Sequence, residues 1–344
     1  MTFRKHWVAF ASVVAISFGV LGYYGRELYR QAPPIPQRVV TVGSEVLFTG
    51  QDISDGQNVW QSMGGQEVGS VWGHGAYVAP DWSADWLHRE ATWLLDHWAK
   101  GDHGGEYASL HPEIQASLRQ RLKTELRSNT YDPKTGDLLV SADRAEAIDA
   151  VGTHYAKLFG DDETLDDLRD AYAIPPNTIK TSERQDKLNT FFFWASWACS
   201  TNRPGKDITY TNNWPAESLI DNRPTGTIVV WSVISFVVLL AGIGSLSWYF
   251  AVARGREEAP HEIPRSNPLL DLSPTPSMKA TLKYFWIVTA LMVVQIGLGA
   301  ITAHYGVEGS GFYGIPLAKW LPYAVTRTWH SQLGIFWLAT AWLG

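Results

Sequence analysis

Two histidines stand where an apolar run meets a polar boundary, and each has companions that make chemistry conceivable. His330 heads the run HSQLGIFWLATAWLG. An imidazole in such a run costs free energy unless it is paired, liganded or placed at the interface. Neutral imidazole is also a good iron ligand, and a histidine near the end of a membrane helix suits a b-type haem. The alternative is an interfacial histidine hydrogen-bonded to a neighbouring helix. The residues leave both open, because a bis-histidine haem needs a second ligand and no other histidine lies inside an apolar run. His304 follows AITA, with Glu308 four residues on and Phe312 four beyond. A continuing helix would put His304 and Glu308 on one face. Gly306, Gly309 and Gly311 predict instead a loop that folds back near the membrane surface. A histidine, a carboxylate and a ring at that boundary suit a quinol head group. The histidine would accept a hydroxyl hydrogen bond and the carboxylate would take the proton as electrons leave. A solvated polar loop is the plainer alternative.

The stretch SMGGQEVGSVWGHGAYVAPDWSADWLHRE is dense in Gly and Trp. Such glycine density predicts backbone held close to something, either a ligand met by main-chain carbonyls or the tight turn of an ordinary domain. His74, His88 and His97 lie around it without the spacing of a zinc site and are expected at the surface or in packing. Cys199 is the one cysteine and is expected to pack as a small hydrophobe. Its solitude excludes an internal disulfide, a cysteine-rich zinc site and the C-x-x-C-H attachment of a c-type haem.

The elements that must position these residues are helices, mostly in a membrane. Apolar blocks run over 7–25, 228–252, 284–303 and 329–344, the last too short to be a finished span. The chain's mean hydropathy of −0.12 hides them behind a long polar segment. The fold class expected is therefore membrane all-α: an N-terminal transmembrane helix over 1–25, an extracytoplasmic domain over 26–225, and the start of a transmembrane domain over 226–344. The first block reads as an uncleaved anchor, since GVLGYYGREL lacks the small residues of a signal-peptidase site. Arg4 and Lys5, then Arg254, Arg256, Arg265 and Lys279, mark cytoplasmic segments, with Arg26, Arg30 and Arg38 speaking weakly against. The outer block is mostly helical: Ile114, Leu118, Leu122 and Leu126 recur every four residues, and Trp86, Leu87, Trp93, Leu94 and Trp98 follow a helical period. Extended runs such as VVTVGSEVLF are minor, and APHEIPRSNPLLDLSPTPSM, with five prolines, is a loop. A net charge of −6 gives no basic patch and argues against nucleic acid as a partner. Seventeen Trp suit membrane interfaces and the packing of large rings.

Four segments, in order, carry a resemblance: GQNVWQSMGGQEVGSVWGHGAYVAPDWSADWLHREATWLLDHWA, YTNNWPAESLIDNRPT, AITAHYGVEGSGFYGI and TRTWHSQLGIFWLATAWLG. Together they resemble the quinol-dependent nitric oxide reductases of the haem-copper oxidase superfamily, over the N-terminal part of that family's long chain. The resemblance implies an outer domain similar to a cytochrome c fold without its haem, in a bacterial cytoplasmic membrane, with electrons drawn from membrane quinol, either ubiquinol or menaquinol. It implies that His330 ligates the low-spin haem b and that His304, Glu308 and Phe312 belong to the quinol pocket. Gly75 and Tyr77 match residues whose main-chain carbonyls bind calcium in cytochrome-bearing relatives. The second ligand of haem b, the high-spin haem's ligand and the histidines of the non-haem iron belong to later helices of the family pattern. The chain by itself is thus expected not to assemble the centre that reduces two nitric oxide to nitrous oxide. A membrane sensor with an outer ligand-binding domain, and an inactive regulatory or assembly fragment, are the rival expectations. Monomer and homodimer in the membrane both stay open.

Overall fold

A computed structural model describes residues 4–76, 79–254, 267, 272–308 and 311–344. It is mostly helical and divides into two compact units, one of 1–57 and 66–224, the other of 58–65 and 225–344.

The first unit begins with α1 (Arg4–Gln31), whose Trp7, Phe10, Ile16 and Phe18 are exposed. Strands β1 (Arg38–Thr41) and β2 (Val46–Thr49) pair antiparallel, and α2 (Gly50–Ser62) follows, its residues from 58 onward counted with the second unit. The short strands β3 (Ser70–Val71) and β4 (His74–Gly75) also pair antiparallel. Next come α3 (Trp82–His103) and α4 (Pro112–Arg127), then β5 (Asp137–Val140), which lies parallel to β1 with Arg38 opposite Asp137. Helices α5 (Ala142–Phe159), α6 (Asp166–Tyr172) and α7 (Ser182–Ser200) complete the unit.

Local chemistry fixes these boundaries. The Asp81 carboxylate accepts from the backbone N–H groups of Ser83 and Ala84 and so caps α3. Gly104, at φ 71, ends that helix in the left-handed conformation that glycine adopts without penalty. Pro112 opens α4 where its missing N–H is not needed. Both expected stripes are buried: Leu118, Leu122 and Leu126 of α4 meet Leu87, Leu94 and Trp98 of α3, with Ile114 and Trp93 packed at the edge. A second layer is aromatic. Trp82 stacks on Phe192 with centroids 5.4 Å apart, and Trp86 stacks on Tyr155 at the same separation. Each such pair contributes about 0.5–1.5 kcal/mol beyond the area it buries. Cys199 is fully buried and its thiol donates to the Ser196 carbonyl at 3.0 Å. Burial pushes that thiol well above its ordinary range, which leaves it inert.

The second unit contains α8 (Gly226–Arg254), α9 (Pro276–Glu308) and α10 (Tyr323–Leu343). Two stretches, Gly226–Val252 and Pro276–Tyr305, are long and apolar enough to cross a membrane, and almost nothing in either is buried. Most of the proline-rich connection between α8 and α9 lies outside the described residues.

Candidate functional site

Helices α9 and α10 pack as a hairpin whose seam is set by small and polar residues. The Nδ1 of His330 stands 2.9 Å from the backbone carbonyl oxygen of Gln295. A carbonyl only accepts, so Nδ1 carries a proton, and in the neutral ring Nε2 keeps its lone pair. Nε2 makes no hydrogen bond among the described residues. The ring lies so close to α9 that a Cβ on Gly299 would stand 2.7 Å from Cε1 and 2.9 Å from Nδ1. One turn along α10, a Cβ on Gly334 would stand 2.8 Å from the Gln295 side-chain nitrogen. Trp337 Nε1 donates to the Gln295 Oε1 at 2.6 Å. Glycines that let backbones approach, with a polar side chain satisfied across the seam, are the means by which membrane helices associate.

Both readings of His330 meet in this geometry. It is hydrogen-bonded to a neighbouring helix, as the plainer one holds. That bond also leaves the imidazole as metal-ligating histidines are held, with the far nitrogen fixed by a backbone carbonyl. The donor set here is this one nitrogen: no group of three His, Cys, Asp or Glu among the described residues could hold a metal. Gln295, which organises the seam, escaped the sequence reading, although a glutamine amid MVVQIGLGA is itself a signal.

At the closed end of the hairpin the expected loop does not begin where the glycines suggested. α9 continues through Gly306 to Glu308, because intrahelical hydrogen bonds outweigh the roughly 1 kcal/mol that one glycine costs a helix. His304 and Glu308 are therefore one turn apart on the same helix; the Glu308 side chain lies outside the described residues. The chain reverses at Phe312–Ile315, which exchange backbone hydrogen bonds of 2.8 and 3.1 Å. Tyr313 and Gly314 have φ of 50° and 79°, as a two-residue hairpin turn with both central residues left-handed requires. This turn delivers two rings to His304. Phe312 meets it edge-on with centroids 4.9 Å apart, and Tyr313 stacks on it at 4.4 Å. The Tyr313 backbone N–H donates to His304 Nε2 at 3.3 Å. The acceptor nitrogen is thus engaged by the main chain, and the neutral ring carries its proton on Nδ1. Tyr313 was also missed, and only the adjoining Gly314 hinted at its turn.

In the first unit the glycines of the Gly- and Trp-rich stretch are held close to protein. A Cβ on Gly69 would collide with Trp82, one on Gly73 with Trp214, and one on Gly75 with the Gly69 carbonyl oxygen. Asp81, another residue missed, ties this stretch together by accepting from the Ser70 hydroxyl at 2.8 Å and the Gly73 N–H at 2.6 Å. A proline-aspartate-x-serine cap signal was its trace in the sequence. Gly75 is part-buried in β4, and Tyr77 lies outside the described residues. His88 pairs with Glu217 at 2.9 Å and His97 stacks on Trp93 at 4.6 Å, so both have packing roles; His74 is exposed in β4.

No curated protein matches the chain. Residues 36–216, just over half of it, match the NorB cytochrome c-like domain of nitric oxide reductase. That match spans β1 to the loop after α7, while the two long apolar helices lie beyond it. The chain therefore belongs to the NorB family of nitric oxide reductase, whose cytochrome c-like domain it carries ahead of helices long and apolar enough for a membrane.

Proposed function

We propose that the chain is the quinol-oxidising part of a respiratory nitric oxide reductase, in which two nitric oxide, two electrons and two protons give nitrous oxide and water. In this reading α1, α8, α9 and α10 all span a bacterial cytoplasmic membrane, with the N-terminus inside and the cytochrome c-like domain outside. The observation that carries it is the α9–α10 hairpin, which bears His304 at the end of one helix and His330 in the first turns of the next.

Quinol docks against His304, Phe312 and Glu308. The rings of Phe312 and Tyr313 confine the imidazole, which hydrogen-bonds the quinol head group while the Glu308 carboxylate takes the hydroxyl proton. His330 would hold the iron of a haem b through Nε2, with the Gln295 carbonyl fixing the ring's tautomer and orientation. A low-spin haem b bound there would supply one-electron acceptance. In the family pattern its second ligand, the high-spin haem and the non-haem iron belong to later helices. By the same resemblance, the carbonyls of Gly75 and Tyr77 would hold calcium.

His304→Ala in the complete enzyme is the test. Quinol-driven turnover should fall by about tenfold or more, the scale of a lost proton-transfer partner, while turnover with an artificial donor that bypasses quinol is spared. Equal loss with both donors would remove His304 from the quinol pocket.

A further inference from the structure

The first unit has a cleft that the proposed reaction does not use. Its volume is about 750 Å³, and it lies between the C-terminal turn of α4 and the loop 202–207. In that loop Pro204 and Gly205, the latter at φ 69°, form a turn closed by the Lys206 N–H donating to the Arg203 carbonyl at 3.0 Å. Arg127, Arg203, Lys123 and Lys206 all line the cleft.

The two guanidinium groups are held in an unusual way. The Arg127 side chain is only 8% exposed. Its Nη1 donates to Asn222 Oδ1 at 3.0 Å, and its Nη2 to Asn202 Oδ1 at 2.8 Å and Asn213 Oδ1 at 3.5 Å. Arg203 donates to Gln31 Oε1 at 2.6 Å, to the Tyr210 carbonyl at 2.7 Å and to Asn212 Oδ1 at 3.2 Å. Its Nε is buried without a partner among the described residues. All of these direct acceptors are neutral. The carboxylate nearest Arg127 among the described residues, Asp207, is 3.7 Å away on a side chain 96% exposed, and Asp221 is tied to Lys123 at 2.9 Å. Amide oxygens solvate a guanidinium but do not neutralise it: Arg203 has no carboxylate within 4 Å among the described residues, and Arg127 has only the exposed Asp207, which also lines the cleft. Burial accordingly draws both groups below their ordinary pKa, the direction an arriving anion would reverse.

We infer that this cleft is an oxyanion site that takes a phosphate group on the remaining N–H groups of Arg127 and Arg203 and the ammonium of Lys206. Guanidinium forks match phosphate geometry, and a point-charge lysine at the rim adds attraction. Two sources present the same chemistry. Gln31, which holds Arg203, is the last residue of α1. With α1 as a span, the cleft stands at the outer membrane surface within reach of phospholipid phosphates; free phosphate is the other source.

The test uses the full chain purified in neutral detergent at low ionic strength. Inorganic phosphate is titrated calorimetrically, and phosphatidylglycerol retained after detergent washing is quantified by mass spectrometry, for the wild type, Arg203→Gln and Lys206→Gln. Saturable phosphate binding that weakens by about tenfold in the variants supports the site with a soluble source, that being the scale of one lost charge-assisted contact. Retained phosphatidylglycerol that is lost in the variants, without phosphate binding, supports the site with a lipid source. Absence of both in the wild type, or binding that the variants leave unchanged, overturns it. Should Arg203→Gln fail to fold by circular dichroism, Lys206→Gln on its exposed turn decides alone.

Discussion

Gly299 is where the haem assignment is most sensitive to a single atom. A methyl group there would press on the His330 ring from 2.7 Å and force the imidazole away from the Gln295 carbonyl. Gly299→Ala should therefore shift or abolish the low-spin haem signal of the complete enzyme. Gly297→Ala, with nothing within 4 Å, should leave it intact, and a normal spectrum in both would contradict this placement. In the outer unit, His154 sets a pH dependence. Burial, then the charge of Arg89, lowers its pKa from the ordinary 6.5, and its Nε2 is buried without a partner among the described residues. Below pH 6.5 the unfolded chain binds the proton and the folded one resists it. Stability is thus complete above that pH and falls as pH falls towards the lowered value. His154→Gln should flatten the decline of the melting temperature on acidification from pH 6.5, and an unchanged slope would count against it. Residue types with chemistry in them, His304 and His330 above all, were legible in the sequence. Their partners were not, because Tyr313 acts through its backbone and Gln295 through a contact 35 residues away in sequence.

Among the elements, α3 and α5 are joined by an ion pair with almost no access to water. Arg144 Nε donates to Glu90 Oε1 at 2.7 Å, the two side chains being 3% and 0% exposed. Trp86 Nε1 donates to the other Glu90 oxygen at 3.1 Å, while Arg144 Nη2 is left without a partner among the described residues. Removing one member strands a buried charge, which typically costs about 3–5 kcal/mol, whereas replacing both by apolar residues of similar volume is often close to neutral. Arg144→Met should thus lower the urea midpoint of the full chain steeply, and Glu90→Leu added to it should recover most of the loss. Additive losses would contradict the coupling. The helices themselves were readable from their stripes, as Leu118, Leu122 and Leu126 show. Two features were not: this pair joins residues 54 positions apart, and α9 persists through a glycine where local propensity favoured a loop.

For the whole molecule, composition pointed to a membrane, and the two long apolar helices with nearly nothing buried agree with that. Orientation from the distribution of Lys and Arg, and the spanning role of α1 and α10, belong to the proposal. The cytochrome c-like domain was recognisable from its motifs, and residues 36–216 match it. Its architecture was less so: β5 joins β1 in parallel across about a hundred residues, a pairing that no local pattern announces. Visible absorption of the reduced complete enzyme tests most directly whether His330 holds haem iron. His330→Ala should remove the low-spin b-type band while the high-spin haem contribution stays. A mutant spectrum that superimposes on that of the wild type would contradict the assignment.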